Sequence, residues 1–126
     1  MQTKICTTCE QEKDHLSQTR TRQRKYYHNN PDIYKNQKLK IAYGITLEQY
    51  NNLLNEQNGV CAICGLPETS FDKRTKKVRL LSVDHNHQLQ KVRGLLCNNC
   101  NNGLGRFLDD EQNLLKAIKY LKKYTM

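Results

Sequence analysis

The 126-residue sequence predicts an α+β fold: a small two-stranded hairpin and a helix gathered on a metal, flanked by helices and preceded by a basic N-terminal arm. Three observations lead there. Six cysteines fall into three C-x2-C pairs, Cys6/Cys9, Cys61/Cys64 and Cys97/Cys100. Two short apolar stretches lie between the second and third pairs, with helical patterns on either side. Leu, Ile, Val and Phe supply only 28 residues, Trp none, and the mean hydropathy is −0.88, too little apolar matter for a large self-sufficient core.

The elements follow in order. Residues 1–44 hold five of those 28 apolar residues, with nine basic and four acidic side chains. Within them TRTRQRKYYH, residues 19–28, sets Arg20, Arg22, Arg24 and Lys25 together with no acid. This is the arm, and residues 45–126 form the compact domain. Asn30-Pro31-Asp32 reads as N-cap, N1 and N2 of a helix that Gly44 stops. Thr46 to Gln49 is a capping box. The helix behind it sets Leu47, Tyr50, Leu53 and Leu54 on one face and ends near Gly59. Val78–Val83 and Lys91–Leu96 read as two strands joined by a long turn, and a helix begins at or just before Cys100. Asp109-Asp110-Glu111 opens a last helix with Leu114, Leu115, Ile118 and Leu121 on one stripe, and Lys122 and Lys123 suit its C-terminal dipole.

C-x2-C pairs in a reducing compartment read as zinc ligands, because two intervening residues let both thiolates reach one ion at about 2.3 Å. Cys61/Cys64 and Cys97/Cys100 close one tetrahedron, and the 32 residues between the pairs leave room for a hairpin. A structural zinc adds on the order of 10 kcal/mol to folding, which offsets the poor core. Cys6/Cys9 has no second pair nearby. Three readings stay open for it: a site shared with His15 and His28, a metal bridging two protomers, or no metal at all.

The formal charge of +9 favours a polyanionic partner. No apolar run approaches the roughly 20 residues of a membrane span, and MQTKICTTCEQEK lacks the apolar stretch of a signal peptide. A soluble, cytoplasmic protein is expected.

The chemistry gathers at Asp84-His85-Asn86-His87, where the first strand ends, and at Asn101, directly after the last zinc cysteine. Asp and Asn present oxygen, which a hard divalent cation such as Mg2+ prefers. Imidazole titrates near neutrality and can take a proton from water. One carboxylate, one amide and one imidazole beside a separate zinc suit hydrolysis of a phosphodiester.

The stretch VDHNHQLQKVRGLLCNNCNNGLG, with GVCAICG upstream, resembles the recombination endonuclease VII family of phage-type HNH nucleases, which have the ββα-metal fold. The resemblance runs from about Tyr43 to Leu121 and rests on DHxH, VRGLLC and CxxCN in order with both cysteine pairs. It implies that Asp84 and Asn101 hold a catalytic Mg2+ or Mn2+, that His85 is the general base and that His87 meets the substrate phosphate. It also implies that Cys61, Cys64, Cys97 and Cys100 hold structural zinc. The expected reaction leaves a 5′-phosphate and a 3′-hydroxyl on branched or recombining DNA, in a phage-infected or prophage-carrying cell. The chain departs from many relatives in lacking a second C-x2-C pair near the N-terminus.

A zinc-stabilised DNA-binding regulator without catalysis is the alternative. It explains the cysteines and the charge but not Asp84, His85 and Asn101. RNA in place of DNA is a third reading, and the resemblance favours DNA. Arg20, Arg22, Arg24, Lys25, Lys91 and Arg93 are the expected phosphate contacts, positioning DNA without reading its sequence. Lys73, Arg74, Lys76, Lys77 and Arg79 crowd the loop before the first strand. Tyr26, Tyr27, Tyr34 and Tyr43 either stack on bases or pack between helices. His15 and His28 read as surface residues, Asn86 as a turn residue, and Asn98, Asn99 and Asn102 as turn or cap residues. Cutting both strands is easiest with two sites, which favours a homodimer, though no interface is legible.

Overall fold

A computed structural model describes residues 7–125, with side chains from residue 15 onward. The order of elements is α1 (Thr7–Asn29), α2 (Pro31–Tyr43), α3 (Leu47–Glu56), β1 (Phe71–Asp72), β2 (Lys77–Val78), β3 (Ser82–Asn86), β4 (Lys91–Leu96), α4 (Asn98–Arg106) and α5 (Glu111–Tyr124). The fold is α+β, with two separate two-stranded antiparallel sheets, β1-β2 and β3-β4. The chain divides into two compact units between Leu47 and Glu48.

The first unit is helical. The arm is not a loose basic segment: residues 7–29 form one 23-residue helix. That stretch contains neither Gly nor Pro, so nothing in it interrupts the backbone hydrogen bonding. The proline at residue 31 takes the first position of α2, where its missing N–H costs nothing. Asn30 stands at the N-cap, but its side chain turns back and donates to the Tyr26 carbonyl at 2.8 Å. Gly44 ends α2 in the left-handed region at φ 70°, its N–H donating to the Lys40 carbonyl. The Cys6/Cys9 expectation lies outside the described residues, as Cys6 and the Cys9 side chain both do.

The second unit builds its small core from Tyr50, Cys61, Leu81, Val83, Leu95, Leu96 and Cys97. Leu95 is fully buried and faces Val83 across β3-β4. Two polar hooks fasten the segment before Cys61 onto this core. Tyr50 donates its buried hydroxyl to the Leu81 carbonyl at 2.7 Å, and burial pushes its phenol up. The Gln57 amide donates to the Leu95 carbonyl and accepts from the Leu95 N–H, both at 2.9 Å. A side chain thus serves β4 as a neighbouring strand would.

The expected strand at Val78–Val83 is two pieces. Val78 pairs with Phe71 in a small hairpin, whereas Ser82–Asn86 pairs with β4, and residues 79–81 lie in neither ladder. The Leu81 carbonyl is taken by Tyr50 instead. The crowded basic loop is itself the β1-β2 hairpin, turned by Asp72, whose carboxylate accepts from the N–H groups of Arg74 and Thr75. At the tip of β3-β4 the Asn86 carboxamide accepts from the Gln88 and Leu89 N–H groups, so Asn86 is a turn residue. The α5 stripe forms, but Leu115, Ile118 and Leu121 on it are 46–65% exposed.

Candidate metal centre and adjoining hairpin

The two cysteine pairs converge because each sits on a backbone turn fixed by its own sequence. After Cys61, the chain curls so that the Gly65 N–H reaches the Cys61 carbonyl and the Cys61 N–H reaches the Leu66 carbonyl. Gly65 makes the curl at φ +67°, where a side chain would be strained. On the other side Cys97 is the N-cap of α4, its sulfur accepting from the Cys100 N–H at 3.4 Å. Between the pairs, Ala62 N–H donates to the Leu95 carbonyl.

The sulfur atoms of Cys61, Cys64, Cys97 and Cys100 all lie within 4.8 Å of one another. Among the described residues this is the one such gathering of three or more Cys, His, Asp or Glu ligand atoms. A zinc–sulfur bond of about 2.3 Å sets tetrahedral sulfurs about 3.8 Å apart. Cys64 and Cys97 stand at 3.8 Å. The donor set therefore fits zinc in number, chemistry and spacing. Burial works against a charged Cys61, yet the N–H groups of Cys64, Cys97 and Ile63 outweigh it and bring this thiol down to about 6. Burial and the neighbouring sulfurs push Cys100 up to about 12. A cation among the four sulfurs relieves that crowding.

Glu68 locks the start of α4. Its Oε2 accepts from the Asn98 N–H at 2.7 Å, and its Oε1 from the Thr69 and Ser70 N–H groups. Partial burial opposes its charge, but these N–H donors prevail and hold its carboxyl below the usual range. The positive end of the helix dipole favours the same state. Neither Glu68 nor Gln57 was marked by any sequence signal. Each is a lone polar residue in a loop or helix end, and its partners lie 30 and 38 residues away.

The hairpin carries the chemical residues. Asp84 faces Gly94 and His85 faces Val92, so Arg93 is an extra residue in β4 and forms a bulge. The bulged Arg93 grips Asp84 through Nε at 2.7 Å and Nη2 at 3.0 Å. The same Nη2 donates to Asp109 at 3.2 Å. Asp84 is 12% exposed and Arg93 38%. The paired carboxylates hold the guanidinium more firmly protonated, Asp84 foremost. Asp109 and Leu108 both have positive φ, 53° and 58°, a strained pair for residues with side chains. His85 and His87, two apart on the chain, stand with ring centroids 4.4 Å apart.

Asn101 is half-buried on α4, which packs on both β3 and β4. Its N–H donates to the Cys97 carbonyl, and no hydrogen bond among the described residues engages its side-chain amide. Lys91 is exposed at the start of β4. Arg20, Arg22, Arg24 and Lys25 are exposed on α1, in the other unit. Among the described residues no helix is long and apolar enough to cross a membrane.

A family model described as recombination endonuclease VII matches residues 36–123. The chain belongs to the recombination endonuclease VII family. Among relatives of this family member, the Gene 59 protein of Mycobacterium phage D29 is 42% identical over 83 residues, covering 65% of this chain and 46% of that protein. The Gene 59 protein of Mycobacterium phage L5 is 40% identical over 81 residues, covering 64% and 45%. The chain thus spans under half the length of these relatives. No solved structure matches this endonuclease VII family chain.

Proposed function

We propose that the chain is a metal-dependent DNA endonuclease of the HNH type, its β3-β4 hairpin and α4 forming a ββα-metal core. The supporting observation is one compact arrangement. Asp84 and His85 sit at a bulged hairpin, and the helix packed on it starts at the thiol cluster and carries Asn101 with an open amide. Membership of the endonuclease VII family supports the same reading.

Asp84 and Asn101 fit a hard cation through oxygen, one anionic and one neutral, and are the residues that would hold Mg2+ or Mn2+. Such an ion, when bound, supplies positive charge to the phosphate and to the departing 3′ oxygen. His85 takes a proton from water, and the resulting hydroxide attacks phosphorus. The P–O3′ bond breaks, and the departing 3′ oxygen takes a proton from water, leaving a 3′-hydroxyl and a 5′-phosphate. His87, whose ring stands beside that of His85, is assigned the role of donating to a phosphate oxygen. Arg93 lies between Asp84 and Asp109, its charge matched by their carboxylates. Branched or recombining DNA is the proposed substrate, and two copies acting together would cut both strands.

One observation favours a second reading. Both Asp84 oxygens are occupied by Arg93, as expected of a structural ion pair in a zinc-stabilised DNA-binding module without catalysis. The test is cleavage of supercoiled plasmid, linear duplex and a four-way junction, with and without added Mg2+ or Mn2+, beside His85→Ala. The nuclease reading expects cation-dependent cutting that His85→Ala slows by about 10²–10⁴-fold, with zinc content and melting unchanged. Equal cutting by the variant refutes the assignment of His85. Tight binding without any cutting establishes the second reading.

A further inference from the structure

We propose that the crook between α1 and α2 is a binding groove for a single strand of nucleic acid, distinct from the hairpin that carries His85. The groove has a volume of about 750 Å³ and is lined by Arg20, Arg24, Tyr27, His28, Pro31 and Tyr34. That space suits a nucleotide and its flanking phosphate rather than a solvent pit. The inference rests on DNA being the partner, as proposed above, and not on cleavage.

Three features point to that occupant. The first is charge: two guanidiniums face the groove, its lining includes no acid, and among the described residues neither Arg20 nor Arg24 carries an ion pair. The second is stacking surface. Tyr27 and Tyr34 sit with ring centroids 5.3 Å apart, and Tyr34 is 41% exposed. Tyr27 is braced by a hydrogen bond from its hydroxyl to Gln37, and Lys38 sits over the Tyr34 ring at 4.7 Å. Rings held this way, with arginines beside them, form a platform for unpaired bases rather than a surface for a closed duplex. The third is direction. Residues 20, 24, 27 and 28 recur along one face of α1. Arg20 and Arg24 also line the adjoining hollow with Leu16, Ser17 and Thr21, which continues the track along the helix. Arg22 and Lys25 line neither hollow.

That last fact gives an internally matched experiment. Full-length zinc-loaded protein in the His85→Ala background, where cleavage plays no part, is titrated onto a fluorescent 20-nucleotide oligothymidine and onto a duplex of equal length. Arg20→Gln/Arg24→Gln and Arg22→Gln/Lys25→Gln remove the same charge from the same helix. The groove expects the first pair to weaken single-strand binding about tenfold or more and to lower the salt slope by about 1.4, at about 0.7 per phosphate contact. The second pair should leave both nearly unchanged. Tyr34→Leu should weaken binding about tenfold, while Tyr34→Phe, which keeps the ring, should not. Equal effects of the two charge pairs would overturn the groove in favour of general electrostatics. Tighter duplex binding that depends on Arg20 and Arg24 would overturn the single-strand assignment, and no oligothymidine binding would overturn it outright. Cleavage by the wild type is scored separately, so a failed nuclease reading leaves this result interpretable.

Discussion

Glu68 joins two segments with one carboxylate, capping its own turn with one oxygen and the first N–H of α4 with the other. Glu68→Ala is expected to cost about 1 kcal/mol, as loss of a helix cap does. The sign of its pH dependence follows from its lowered folded-state value. The stabilisation is fully present above the unfolded carboxyl value near ~4.3 and is lost as pH falls through the folded-state value. Urea melts of wild type and variant across that window should converge on the acid side. A gap that stays constant into acid would remove the cap from the account. At this scale the cysteines were legible because their spacing is a local signal. So was Asn86, whose turn chemistry lies within three residues. Gln57 and Glu68 were not, since their roles exist only once β4 and α4 are in place.

At the scale of elements, Gly94 shows how closely the second unit is fitted. A Cβ there would stand 3.2 Å from Gln57 Oε1. That oxygen cannot retreat, because it accepts from the Leu95 N–H while the same amide donates to the Val60 and Leu95 carbonyls. Gly94→Ala is therefore expected to destabilise by about 1–3 kcal/mol, as overpacking does. Gln57→Ala/Gly94→Ala should recover the clash part but not the lost hydrogen bonds, so a melting comparison of Gly94→Ala, Gln57→Ala and the double variant checks the contact. The strand Lys91–Leu96 was read in full from its sequence, and α4 to within about two residues. The preceding strand was misread as continuous, because apolar periodicity does not reveal that Tyr50 takes the Leu81 carbonyl out of the ladder. Helix α1 went unread since its pattern is polar all round. Its continuity rests on uninterrupted backbone, which charge counts do not register.

For the molecule as a whole, a metal bound to the four-cysteine cluster is expected to be the main source of stability in the second unit, because the core there is small. Only seven apolar side chains of that unit are buried among the described residues, and two of them are cysteines of the cluster. Cys97→Ser separates metal from cap, because serine is itself a good N-cap. It is expected to lose bound zinc and the cooperative melt, a deficit on the order of 10 kcal/mol. Zinc analysis with circular dichroism checks this, and an unchanged melting temperature would refute it. Since the ligands must be deprotonated, wild-type protein should release zinc as pH falls. The overall architecture, α+β with cysteines brought together across 32 residues, was legible because the two spacings agreed on one centre.

The sulfur of Cys97 that begins α4 is also one of the four clustered donors, and Asn101 rides one turn further along that helix. With a metal bound to the four sulfurs, its loading and the folding of the helix that bears the amide would be a single event.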